Sequence, residues 1–223
     1  MLDEKENIQF QLTEHLIERV EHLIANERDK ELQLFLDDYH YADIAEILDE
    51  LNEDQALYII KLLDSDTTAD VLMELDEDIR EKVLENLSAK EIAEEIEELD
   101  TDDAADMISE LSEERQEEVI SKIEDEGHKA EIEELLTYDE NTAGGLMAKE
   151  LVKVYETWTV AGCMRRIRGQ AEDVTRVHSI YVVDREEKLI GRLSLKDLIV
   201  AKSDTKIAEI SNSNVDYVNV QDN

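Results

Sequence analysis

The chain has 223 residues, 60 acidic against 23 basic side chains and a formal net charge of −37. That length holds one large or two modest domains, and 42% hydrophobic residues suffice for a folded core. So acidic a chain is a poor nucleic-acid binder.

The charge is unevenly placed. Residues 1–136 carry 11 Lys and Arg against 46 Asp and Glu, a net of −35, while residues 137–223 carry 12 against 14. At a screening length of about 8 Å, carboxylates on one face still repel, and a divalent cation relieves that repulsion. A plainly solvated acidic surface is the simpler reading of charge alone. Single Cys163 excludes an intramolecular disulfide and reads as a core residue in a reducing compartment. No apolar leader opens the chain and no run of 18 apolar residues occurs, so it reads as soluble, with any membrane spans lying past Asn223.

In chain order, residues 8–36 read as one or two amphipathic helices. A repeat of twelve follows: Leu51, Leu63, Leu75, Leu87, Leu99, Leu111 and Ile123, each with an apolar residue three positions earlier. Asn52, Asp64, Asp76, Ser88, Asp100 and Ser112 follow the leucines, and all are N-cap types. A single helix is excluded, because twelve residues at 100° rotate the stripe by about 120° per repeat. Short helices of roughly nine or ten residues, restarted by each cap and paired into hairpins, account for the period. The proline-free stretch before Gly127, which also lacks glycine, permits this.

The pattern changes after Leu136. Residues 138–147 form a loop with adjacent glycines, Gly144 and Gly145. Beyond it the spacing predicts a strand over 151–155, a helix over 159–170, strands over 179–184 and 188–194, and a helix over 195–201. Residues 207–210 and 215–220 read as the linker and first strand of another unit. The fold class is therefore α+β: an all-α superhelix of short antiparallel helices, then a β-α-β-β-α unit.

No phosphate-cradling loop, His-Glu-x-x-His or nucleophile elbow occurs, so the chain does not read as an enzyme. With 60 carboxylates, spacing coincidences between them carry no catalytic weight.

Ile180-Tyr181-Val182-Val183-Asp184, Leu189-Ile190-Gly191 and Leu193-Ser194-Leu195-Lys196-Asp197-Leu198 together resemble a CBS module. Thr142-Ala143-Gly144-Gly145-Leu146-Met147, between an acidic helical segment and that module, resembles the MgtE family of magnesium channels and transporters. The resemblance implies an amino-terminal domain over 1–136, a first CBS module over 137–203, and the start of an incomplete second module over 204–223. It also implies a homodimer formed through CBS modules and a transmembrane pore outside this chain. The fragment would then lie at the cytoplasmic face of the cell membrane, with bound Mg²⁺ favouring the closed pore.

By the same resemblance Asp102 and Asp106, four apart on one helix face, are metal ligands and Gly145 offers a backbone carbonyl; Asp70, at the repeat position equivalent to Asp106, is a further candidate. Each has a plainer role available. Asp102 suits the first turn of any helix. Asp106 shares its repeat position with Glu46, Asp70, Glu94 and Glu118, and Gly145 suits any turn. Asp197 and Lys196 match positions that face ribose and phosphate in nucleotide-binding CBS modules. Ser179 replaces the aromatic that stacks on adenine, which removes roughly 1–3 kcal/mol, so ATP is expected to bind weakly or not detectably. Trp158 and His178 read as packing or surface residues. Two other readings stay open: an adenosine-nucleotide-sensing CBS regulator and an acidic protein-interaction scaffold.

Overall fold

The computed structural model describes residues 10–170 and 179–222. Two units divide the chain: residues 1–99 with 103–130, and residues 100–102 with 131–223. His178 lies outside the described residues.

The first unit is helical. α1 (Glu14–Ala25) and α2 (Asp29–Leu36) are separated at Glu27, whose φ of 51° turns the chain. There follow α3 (Tyr41–Asp49), α4 (Glu53–Ile60), α5 (Ser65–Glu74), α6 (Glu77–Asn86), α7 (Ala89–Ile96), α8 (Thr101–Ser109), α9 (Glu113–Ile120) and α10 (Glu126–Leu135), with residues 101–102 of α8 and 131–135 of α10 assigned to the second unit. Every N-cap type picked out by the repeat precedes a helix. Asn52 and Ser88 close reciprocal capping boxes with Gln55 and Glu91, and Asp64 accepts from the Thr67 N–H at 3.1 Å. Asp76 and Ser112 hold the extended or near-extended cap backbone without a side-chain cap bond.

Helices of eight to ten residues are marginal alone. Here α3, α5, α7 and α9 pack in succession as one column, and α4 packs on α6. Alternate helices are therefore the neighbours, the 24-residue hairpin period implied by a repeat of twelve. Leu48, Leu72, Leu84, Ile96 and Ile108 are fully buried, each contributing about 1.5–3 kcal/mol. Polar ties bridge successive levels. Arg80 pairs with Glu110 (Nε to Oε2, 2.9 Å), and its Nη1 donates to the Leu72, Met73 and Leu75 carbonyls at 3.2–3.3 Å, closing the end of α5.

The second unit contains a three-stranded sheet in the order β1 (Val152–Tyr155), β2 (Ile180–Val183), β3 (Leu189–Leu193). β1 and β2 run parallel, which requires a crossover, and α11 (Val160–Gln170) lies within it. β2 and β3 are antiparallel, joined by a turn in which Asp184 Oδ1 accepts from the Glu186 and Lys188 amides (2.8 and 3.0 Å). α12 (Leu195–Val200) follows. Val152, Val154, Ile180, Val182 and Leu193 of the sheet pack with Val160, Cys163, Ile167 and Leu198 of the helices. Burial pushes the Cys163 thiol up to about 11, so it is an inert core group, and Trp158 packs against the same core.

The tail departs from the sequence reading. Residues 207–210 form a one-turn helix, α13 (Ile207–Ile210), bound to the first module by Ile207 N–H to Trp158 O (2.9 Å) and Ala208 N–H to Glu156 O (3.1 Å). The strand expected over 215–220 is absent. Only Asn212 bridges to Arg192, and Tyr217 and Val218 are exposed. An apolar run makes a strand only where a neighbouring strand completes its ladder. This run is instead fastened by the Ala143 and Gly144 amides, which donate to the carbonyls of Asp222 and Val220 at 2.8 and 2.9 Å.

Candidate functional site

α8 presents the acidic face on which the metal reading depends. Thr101, Ala104, Ala105, Met107 and Ile108 are buried, Asp102 is half-buried, and Asp103, Asp106 and Ser109 are exposed. Small alanines on the inner side let the helix pack closely. The outer side leaves Asp102 and Asp106 one turn apart, within reach of one another. Asp106 also acts electrostatically on Arg80, though Arg80's main partner is Glu110, whose hydrogen bond holds the guanidinium charged. Arg80, with its long-range ties to Glu110 and the end of α5, carried no signal in the repeat pattern.

Asp70 stands exposed on α5, where partial burial raises its carboxyl above the usual range, with Asp66 and Glu74 adding to the rise. α5 belongs to the column formed with α3, α7 and α9, of which α8 is not a member. Three repeats of twelve separate Asp70 from Asp106.

Gly145 is half-buried in the loop, its N–H donating to Thr142 Oγ1 at 3.3 Å. A Cβ there would lie 2.4 Å from the Asp139 carbonyl and 2.8 Å from Glu140 Cα. Close backbone approach, rather than positive φ, therefore requires glycine here. Asp102 and Gly145 both fall in the second unit.

The donor set fits magnesium. Mg²⁺ takes oxygen ligands, carboxylate and carbonyl oxygens among them, and keeps several waters. Among the described residues no three or more His, Cys, Asp or Glu side chains gather into a cage.

At the other candidate site, Asp197 is held by its own helix. Its Oδ2 accepts from the Ser194 amide and hydroxyl at 2.9 and 2.7 Å, and these bonds keep the carboxyl below its usual range. Lys196 is exposed. A hollow of about 580 Å³ opens beside the sheet, lined among others by Met147, Leu151, Lys153, Ser179, Tyr181 and Leu189. Neither Lys196 nor Asp197 lines it. Tyr181 of β2, two residues past Ser179, is an aromatic that lines it.

Residues 39–141 match the family of the MgtE intracellular N domain, and residues 143–204 match the CBS domain. A crystal structure of the cytosolic domain of the Mg²⁺ channel MgtE in complex with ATP superposes with a TM-score of 0.85 at 33% identity, covering 92% of this chain and 84% of that one. The chain belongs to the MgtE family. Within that family the magnesium transporter MgtE of Thermus thermophilus is 49% identical over 81 residues, and that of Enterococcus faecalis 41% over 87. These segments cover 36% and 39% of this chain but only 18% and 19% of the transporters. Among the described residues no helix is long and apolar enough to cross a membrane.

Proposed function

We propose that this chain is the magnesium-sensing, gating region of an MgtE-type transporter and has no catalytic activity of its own. The observation that carries the reading is the pair Asp102 and Asp106, one turn apart on the acidic outer face of α8. Gly145 and Asp70 are the further candidate ligands. Domain limits at 136 and 203, with 204–223 opening a second CBS module, complete the assignment.

Crowded carboxylates repel at low magnesium, and bound Mg²⁺ offsets that repulsion and favours the compact arrangement. In the whole protein this arrangement holds the pore closed, with the region dimerised through its CBS modules at the cytoplasmic face of the membrane. Thermal melting in millimolar Mg²⁺, against Na⁺ of equal ionic strength, tests the reading. Binding to the folded form alone adds about 2.7 kcal/mol at a hundredfold excess over the dissociation constant. Equal stabilisation by Na⁺ would reduce the effect to screening and end the proposal.

A second reading, adenosine-nucleotide sensing, is favoured by the relative whose structure holds ATP. On that reading Lys196 and Asp197 are the binding groups, and the lack of an aromatic at 179 weakens binding.

A further inference from the structure

Thr101 opens α8 and is 0% exposed. Its N–H donates to Glu150 Oε1 at 3.0 Å, and its hydroxyl donates to Glu150 Oε2 at 3.0 Å. The same hydroxyl accepts from the Lys149 N–H at 2.9 Å. All three residues belong to the second unit. A carboxylate 49 residues along the chain thus binds the first turn of α8, as an N-cap side chain does. Its charge faces the positive end of the helix dipole. The Lys149 ammonium is engaged elsewhere, 2.7 Å from Glu134.

This clamp adjoins two of the candidate ligands. Asp102 follows Thr101 directly, and Gly145 lies in the loop just before Lys149 and Glu150. Three bonds that fix the backbone and rotation of the first turn also fix where the Asp102 carboxylate leaves the helix. Asp106 follows one helical turn later in sequence on α8. Charge-assisted bonds are the strong ones, and ligands held in advance bind without an ordering cost.

We propose that Glu150, acting through Thr101, is a positioning residue for magnesium binding at Asp102 and Asp106. The inference rests on the magnesium-sensing reading. It implies that breaking the clamp weakens the magnesium response without removing any ligand.

The test is the magnesium midpoint of hydrogen-exchange protection over residues 101–109, measured for the wild type, Glu150→Ala, Thr101→Val and Thr101→Ser. Circular dichroism confirms that each is folded. Glu150→Ala and Thr101→Val should raise the midpoint by about tenfold, whereas Thr101→Ser, which keeps the hydroxyl, should stay near wild type. If Glu150→Ala does not fold, the two Thr101 variants decide, since valine matches threonine in shape. A lowered melting temperature with an unchanged midpoint would make the clamp purely structural and overturn the proposal. A wild type that responds to Mg²⁺ no more than to Na⁺ would overturn the sensing reading and the positioning role together.

Discussion

Ser65 Oγ donates to Glu95 Oε2 at 2.9 Å, joining the start of α5 to α7 across one level of the helical stack. The bond favours the charged carboxylate, but burial outweighs it. Together with Glu94, Glu98 and Asp64, burial pushes Glu95 up to about 7 from an ordinary 4.5. Nearby, Glu98 is raised first by its hydrogen bond with Asp66 and then by burial.

Glu95 gives the first prediction. Between its ordinary value and about 7 the folded chain holds a proton that the unfolded chain has released. Stability therefore falls as pH rises through that window. Glu95→Gln should flatten the slope and leave the protein more stable above neutrality by about 1 kcal/mol, a figure discounted for partial exposure. Denaturant unfolding of both proteins across the pH range checks this. An unchanged slope would assign the dependence to other carboxylates.

Gly145→Ala should destabilise the second unit by about 2 kcal/mol, because its methyl group would overlap the Asp139 carbonyl and Glu140 Cα. Urea unfolding is the measurement, and an alanine tolerated within experimental error would show that the loop relaxes at no cost.

ATP should bind weakly or not detectably in calorimetry. Ser179 offers no face for adenine, and Asp197 is engaged with Ser194. Saturable micromolar binding that Tyr181→Ala abolishes would reverse this and promote the nucleotide-sensing reading.

The local devices were legible in the sequence. Caps such as Asn52, Asp64 and Ser88 act over three residues, so a repeat of twelve located the helices. Short apolar segments around Val152, Ile180 and Leu193 likewise located the strands. Devices spanning large sequence separations were not legible. Arg80 reaches Glu110 across 30 residues and Thr101 reaches Glu150 across 49, with no periodicity to announce either. The run Val215–Val220 failed for the converse reason, since its apolar pattern looked local but strand formation depends on a neighbour. At the candidate site, Asp102 and Asp106 share a helix face by spacing alone. Asp70 entered through repeat equivalence alone.

The most direct test of the magnesium reading is the stability of the double variant Asp102→Asn, Asp106→Asn, measured by thermal melting with and without millimolar Mg²⁺. Without the ion, removing two like charges from a crowded face should leave the fold slightly more stable than wild type. With the ion, the variant should lose most of the magnesium-dependent gain, because neutral amides are poor ligands for a hard cation. A double variant that keeps the whole magnesium response would contradict the account and leave both residues as ordinary surface carboxylates.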